Sequence, residues 1–387
     1  MQIVEVVFWI VVALLFWAYL GYPLFVAVGG RFLLPRPEVN RRPLGRTLFL
    51  ISAYNEERVI EWKLENTLAL EADEEFPIVV ISDGSTDRTD EIVLRMAARH
   101  PRIKLIRVEG RLGKNHALNE ALERLDPDPS TVVVFSDANA RYELEAVVRL
   151  RETLAAGATC AVGKLNFVDE ATGTARAEGL YWRYENALRR AEGKLGRISM
   201  ANGAIFAVRA GDVPTFALDI SNDFWISAML LGKGKSIVYQ PQAVALEPAP
   251  VAGHEEFRRK VRMGNQGMWG VMRVWREIDV ATRFQLVSHK VLRWLGIPLI
   301  ATALVCSILL GVSQPLYWIA FVVLCAPILL AVLGVLGRFL QVRVPLSDLA
   351  IHFWMVHWAA LLGVLEAIRG KRLLTWDQAV SARRRVA

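Results

Sequence analysis

Cysteine is scarce in this chain. Cys160, Cys306 and Cys325 stand far apart in 387 residues and form no metal-ligand spacing. That argues against a disulfide framework and a cysteine-held zinc, and reduced thiols suit a cytoplasmic domain. Two glycine-rich signatures are also missing, G-x-G-x-x-G and G-x-x-x-x-G-K-[ST]. Their absence excludes a dinucleotide fingerprint and an ATP-type phosphate loop. There is no zinc-finger spacing or other nucleic-acid motif, no internal repeat and no low-complexity tract. The first apolar run, 6–28, has no small-residue cleavage site after it and reads as an anchor rather than a leader.

What is present is an unusual mixture. The chain is 53% hydrophobic, high for a soluble enzyme, yet 22% of it is charged. A soluble domain joined to membrane segments satisfies both figures. The net charge of +7, with many basic residues beside apolar segments, points to membrane surface and phosphate-bearing ligands rather than nucleic acid. Residues 6–28 are long enough to span a bilayer. Arg31, Arg36, Arg41, Arg42 and Arg46 follow, placing the next domain on the cytoplasmic side of a cell membrane.

The expected divisions are a transmembrane helix at 1–30, a catalytic domain at 47–250, an amphipathic region at 254–280, about three membrane segments within 289–370, and a basic tail at 371–387. The three segments centre on 291–311, 316–337 and 349–367. Residues 254–278 carry Phe257, Val261, Met268, Val271, Met272 and Trp275 in a basic background, as a helix lying on a membrane surface would. An ordinary basic surface helix is the other reading. One conflict stands: three further spans put the basic tail outside, where the positive-inside rule would not place it.

From 47 to about 165 the chain alternates. Short β-type runs (TLFLISA, PIVVIS, IKLIRV, TVVVFS, TCAVGKL) are separated by helical patterns. Ile60, Leu64 and Leu68 recur at helical spacing after a capping Asn55; Ile92, Val93 and Met96 follow the cap-rich DGSTDRTDE. Continuous apolar strands alternating with helices predict an α/β domain whose parallel sheet is covered on both faces.

In such sheets ligands bind beyond the carboxyl ends of the strands. The first strand is followed by Ala53, Tyr54, Asn55 and Glu56, and the second by Asp83. The third leads to Arg111 and Lys114 beside Gly110 and Gly113, the fourth to Asp137 and Asn139. Any one of these groups alone reads as a turn. Four in succession point to one crevice. Asp137 and Asn139 offer hard oxygen ligands for Mg2+ or Mn2+. Lys114 offers a point charge for phosphate, and Asp83 can accept from a base N–H. A metal-bound diphosphate is the simplest ligand for the set.

ISAYNEE, ISDGSTDRT, GRLGKNHALN and FSDANA, in that order, resemble the donor half of a family 2 inverting glycosyltransferase with the GT-A fold. ANGAIFAVR and the stretch from 220 to 247 resemble its acceptor half, so the resemblance runs over roughly 47–265. The flanking apolar segments resemble the membrane-embedded branch of poly-N-acetylglucosamine, hyaluronan and cellulose synthases.

That resemblance implies roles. Tyr54, Asn55 and Glu56 would border uracil and ribose, with Asp83 on uracil. Lys114 would meet the diphosphate of a UDP-sugar. Asp137 and Asn139 would hold the metal, and Asp223 would be the base. Asn222 precedes Asp223 where the family has a second acid. A glycan or lipid-linked acceptor would meet Trp182, Asn202, Gly203, Arg259 and Arg262. The processive Q-x-x-R-W signature is broken: the matching stretch is Arg259, Lys260, Val261, Arg262, Met263. Trp182 or Trp269 would have to supply the missing aromatic platform.

Other readings stay open from the residues alone. Asp223 also fits a plain helix cap. His352 and His357, five apart, fit packing rather than metal binding, and the YWRYE run at 181–185 fits either an acceptor wall or a structural cluster. A membrane-anchored nucleotidyltransferase would share the metal and diphosphate, but AYNEE stands where its basic loop belongs. A scaffold that only binds a sugar nucleotide would not need both the metal pair and Asp223.

Overall fold

A computed structural model of the chain describes residues 1–72, 75–168, 173–248 and 253–373, without the side chains of 173–178. The tail beyond 373, including Arg383, Arg384 and Arg385, lies outside the described residues.

A long apolar helix, α1 (Gln2–Leu33), leads into the sheet domain. The domain's first half is β1 (Thr47–Ala53), α2 (Ile60–Leu68), β2 (Ile78–Asp83), α3 (Thr89–Ala97), β3 (Ile103–Val108), α4 (Lys114–Leu125) and β4 (Val132–Asp137). Its second half is β5 (Arg141–Tyr142), α5 (Ala146–Ala155), β6 (Cys160–Val168), α6 (Gly173–Lys194), β7 (Ile205–Arg209), α7 (Asn222–Gly232) and β8 (Ile237–Pro248). The strands form one sheet in the order β3-β2-β1-β4-β7-β6-β8-β5.

β1 through β4 are parallel, as the apolar runs predict. β7 runs antiparallel to both β4 and β6, and β5 antiparallel to β8, so the sheet is mixed but mostly parallel, as the resemblance to the GT-A fold implies. Alternate residues of β1 enter two different cores. Leu48 and Leu50 pack on one face with α4 and α7. Phe49, Ile51 and Ala53 pack on the other with α2, α3 and α5. Burial on both faces is why the strand shows no polar alternation. Phe49 is fully buried, and truncation to Ala would cost about 3–5 kcal/mol.

Asn55 does not cap α2. It adopts a left-handed conformation, and its side-chain oxygen accepts the Thr86 N–H at 2.7 Å, joining the loops after β1 and β2.

Helix α8 (Gly253–Val274) follows the sheet, then α9 (Val280–Trp294), α10 (Gly296–Gly311), α11 (Leu316–Phe339) and α12 (Ser347–Ile368). By length and composition α1, α11 and α12 could each cross a membrane. The expected span at 291–311 is not straight: α9 and α10 meet at 66°. Nor does α8 simply lie on a surface. Val271 and Val274 enter the core of the sheet domain, and Gly270 passes against Phe224 of α7. Its other side meets α12, where a side chain on Gly363 would reach within 2.2 Å of the Val261 carbonyl. Trp275 lies beyond the helix, under the Arg283 guanidinium.

A buried ionic network ties α6 to the apolar helices. Glu185 accepts from Arg293 at 2.6 Å and Lys290 at 3.1 Å, and Glu192 from Tyr22 at 2.6 Å. Burial pushes the Glu185 carboxyl up, but Arg293, Lys290 and His289 outweigh it and hold the group well below the usual carboxylate range. The chain end returns to the sheet domain: Asn265 and Trp269 donate to the Lys371 carbonyl, and Arg372 pairs with Asp219 at 3.0 Å.

Candidate active site

The carboxyl ends of β1 and β4, the start of α4 and the start of α7 surround a cleft of about 940 Å3. Glu56, Lys114, Asp137, Asn139, Asn202, Gly203 and Asp223 line it, with Trp182, Arg259 and Arg262 on the far wall. Tyr54, Asn55 and Asp83 are not among its lining residues and stand beside it.

Asp83 holds a loop. Its carboxylate accepts the backbone N–H of Leu112 at 3.0 Å and of Gly113 at 2.9 Å. That fixes the segment carrying Arg111, whose guanidinium lies 4.4 Å from the Tyr54 ring centre. Gly84 is needed here: its φ is +66°, and a Cβ would sit 2.4 Å from the Gly110 carbonyl oxygen. Glu56 is buried, and its N–H donates to Thr89 Oγ1 at 2.7 Å.

Lys114 is the first residue of α4, and its ammonium lies 2.5 Å from Asp137 Oδ1. A positive group therefore already stands where Asp137 would meet a cation. With the Asn139 amide on the same turn, the oxygen donors suit a small divalent ion. Among the described residues no cluster of three His, Cys, Asp or Glu could hold a metal alone, so diphosphate oxygens and water would have to complete the sphere.

The turn is held from behind. Lys63 is fully buried and donates to the Ala140 carbonyl at 2.6 Å, with its amine 4.2 Å from the Tyr142 ring centre. Burial pushes its pKa down to about 7, while Asp137 and Glu247 pull the other way. Asn66 accepts the Tyr142 N–H at 2.8 Å and donates to its carbonyl at 2.9 Å. Sequence reasoning missed Lys63. The available signal was a lysine on the apolar face that carries Ile60 and Leu64.

Asp223 is the second residue of α7, after Ser221 at the N-cap position, and bonds within the first turn of the helix. Its Oδ1 accepts the Phe224 N–H at 2.8 Å. A Cβ on Gly203 would stand 3.7 Å from Asp223 Oδ2 and 3.6 Å from Asn222 Oδ1, so the backbone passes close to both. The amide nitrogens of Asn202 and Asn222 are buried without a partner among the described residues. Both residues line the cleft and offer donors to a substrate.

The far wall departs from expectation. Arg259 is bound to the buried Glu256 at 2.8 Å, which occupies the guanidinium. Trp182 is nearly buried, edge-on to Phe167 at 5.6 Å and with Arg189 over its face. Trp269 is not a lining residue: its indole donates to the Lys371 carbonyl and Arg372 covers the ring. Tyr181 and Tyr184 are structural, the first under Lys260 and the second donating to the Tyr19 carbonyl. His357 bonds Tyr19 and the Phe353 carbonyl, as a packing histidine does. Glu247, His254, Arg258 and Glu366 also line the cleft and were not foreseen.

Residues 49–210 match the family model described as glycosyl transferase family 2. Over that segment the chain resembles the family 2 glycosyltransferases. It is 25% identical over 259 residues to a poly-beta-1,6-N-acetyl-D-glucosamine synthase of Staphylococcus aureus, a match covering 65% of this chain and 61% of that relative's length. A synthase of the same description from Staphylococcus epidermidis is 37% identical over 76 residues, 20% of this chain and 18% of the relative. Among solved structures, a mannosyltransferase from Pyrobaculum calidifontis, in complex with GDP-Man and Mn2+, superposes with a TM-score of 0.65 at 22% identity, covering 95% of this chain and all of that one. The mixed sheet with helices on both faces is thus a GT-A fold carrying apolar helices. The match favours the glycosyltransferase over the nucleotidyltransferase reading.

Proposed function

We propose that this chain is a family 2 glycosyltransferase that moves a sugar from a UDP-sugar to a hydroxyl of a glycan or lipid-linked acceptor, with inversion at the anomeric carbon. The observation that carries the reading is one cleft lined by Lys114, Asp137 and Asn139 together with Asp223, which the Gly203 backbone passes closely. Asp137 and Asn139 would hold Mg2+ or Mn2+, which when bound offsets the charge of the leaving diphosphate. The Lys114 ammonium is already within reach of Asp137 and can turn to the diphosphate. Tyr54, Asn55, Glu56 and Asp83 form the nucleoside side. Asp223 takes the acceptor proton as the hydroxyl attacks, its negative charge favoured by the N-terminus of α7. A single carboxylate suffices because the unpaired Asn202 and Asn222 amides orient hydroxyls beside it.

Two features support an acceptor delivered from the membrane side. Leu362, Glu366 and Leu373, on and just beyond the apolar helix α12, line the cleft. The Q-x-x-R-W positions carry no aromatic residue, which favours transfer of one sugar to a lipid carrier over chain extension. We place the catalytic domain on the cytoplasmic face of a cell membrane. Since Arg372 is held by Asp219, an even number of crossings separates the sheet from the chain end. Crossing by α11 and α12, the two helices beyond the sheet that are long and apolar enough, satisfies that count and removes the conflict with the positive-inside rule.

The test is incubation of the protein in lipid nanodiscs with a panel of nucleotide sugars, Mn2+ or Mg2+, and either a polyprenyl phosphate or an oligosaccharide. Nucleotide release and product mass are followed. Release from a UDP-sugar only when an acceptor and cation are present supports the reading. Equal turnover in chelator, or transfer from GDP-sugars alone, overturns it.

A further inference from the structure

A second cavity, of about 610 Å3, lies between α6 and the β6–β8 strands. Its size is in the range of small-molecule sites. Three cations, Lys164, Arg183 and Arg190, line it, and among the described residues no carboxylate does. None of the three forms an ion pair among the described residues. Arg183 and Arg190 are seven residues apart, so both stand on one side of α6, two turns from each other. The other side of that helix carries Glu185 and Glu192, which tie it to the apolar helices. The cationic side is therefore turned away from those helices.

Two buried polar groups in the wall lack partners among the described residues. Tyr239, on β8, is 7% exposed, and its hydroxyl is buried with nothing to bond among the described residues. Gly193 packs onto it so closely that a Cβ there would lie 2.5 Å from the Tyr239 Cβ, which holds the residue in place. Burial pushes the phenol up to about 12, so it remains an O–H donor at neutral pH. Asn186 donates its amide to the Leu165 carbonyl at 3.0 Å, which leaves its own oxygen buried and unpartnered. Unsatisfied buried groups are rare enough in folded proteins to need a ligand or water.

We propose that this cavity is a second binding site, for a phosphorylated small molecule that also carries hydroxyls, such as a sugar phosphate or nucleotide. Charge-assisted bonds from Lys164, Arg183 and Arg190, with the Tyr239 hydroxyl, would take the phosphate. Asn186 would accept from a ligand hydroxyl. Trp182 lines both this cavity and the catalytic cleft, so a ligand here acts on the acceptor half of the enzyme.

The test uses the full chain in phosphatidylcholine nanodiscs, with inorganic pyrophosphate as probe and a chelator present to silence metal-dependent binding in the cleft. Wild type should bind pyrophosphate. Arg183→Gln combined with Arg190→Gln should weaken that binding by roughly tenfold or more. Tyr239→Phe, which removes only the orphan hydroxyl, should weaken it less. Lys114→Ala should leave it unchanged. Both arginines are exposed, and retained UDP binding in Mn2+ certifies the fold of the double variant. Repeating the titration with phosphatidylglycerol in the disc separates the sources: competition assigns the phosphate to a lipid headgroup, no competition to a soluble ligand, and either result keeps the site. No pyrophosphate binding in chelator, or binding lost in Lys114→Ala and kept in the double variant, overturns the proposal.

Discussion

The two walls of the cleft are built by different physics. On the donor side each chemical group stands at the end of a strand or one turn beyond it. Ser52 and Asp137 are register partners in adjacent parallel strands, so backbone ladders set where the turn carrying Asp137 and Asn139 lies. The acceptor wall is assembled from α6, α8 and α12, which meet through small residues and single side-chain bonds. Gly264 packs against Ala360, and Asn265 donates to the Gly363 carbonyl at 3.3 Å. A ladder has one register, whereas helices in contact can shift by fractions of an ångström. Donor-side changes should therefore abolish a step, and acceptor-side changes should grade it.

The largest effect expected is on the base. Asp223→Asn keeps the shape and loses the proton acceptor, so turnover should fall by roughly 10²–10⁴-fold. UDP binding, measured by calorimetry, should stay near wild type, because the donor wall is untouched. Near-normal turnover would move the base elsewhere. Next comes Asp137→Ala, which should weaken Mn2+-dependent UDP binding by more than the roughly 10–100-fold that follows loss of a metal ligand's supporting partner. If chelator has no effect on UDP affinity in the wild type, the metal assignment fails.

The same division decides what could be read from the sequence. A strand followed directly by Asp137 or Lys114 is a local pattern, and local patterns survive in one sequence. The reversal of β7 is not local, because its direction depends on where the chain re-enters the sheet. Lys63 was hidden for a related reason: a lysine in a helix normally reads as solvated. Only the fold shows that it points under the turn carrying Asp137 and Asn139. Arg259 lines the cleft where its position in the sequence put it, whereas its bond to Glu256, three residues earlier, was not legible there. The motif predicted the backbone there and not the partner.

On the acceptor side, Gly363→Leu should separate α8 from α12, since even a Cβ meets the Val261 carbonyl at 2.2 Å. Overpacking of this kind costs about 1–3 kcal/mol, visible as a lower unfolding temperature. Acceptor KM should rise while UDP affinity holds. A parallel loss of UDP affinity would show that the walls are not independent.

Behind the donor wall, Lys63 gives a pH signature. Its folded pKa of about 7 lies below the unfolded value, so above pH 7 the unfolded chain holds the extra proton. Stability contributed by this group therefore rises with pH from about 7 toward the unfolded lysine pKa of about 10.4, by on the order of 1 kcal/mol per pH unit. Thermal melts of Lys63→Met should lack that rise between pH 7 and 9. An identical slope in the variant would assign it to other groups.

The smallest effect expected is at Trp182, the one aromatic of the two candidates that lines the cleft. It is held edge-on by Phe167 and covered by Arg189, so its orientation is fixed before any acceptor arrives. Trp182→Phe keeps an apolar ring and shortens it. An aromatic contact is worth about 0.5–1.5 kcal/mol, so acceptor KM should rise by roughly two- to tenfold. Neither UDP affinity nor the pH dependence of turnover should change, because Asp223, Asp137 and Asn139 keep their neighbours. If KM for acceptor is unmoved and UDP affinity drops, Trp182 belongs to the donor wall. The line between the two halves would then run through α6 rather than beside it.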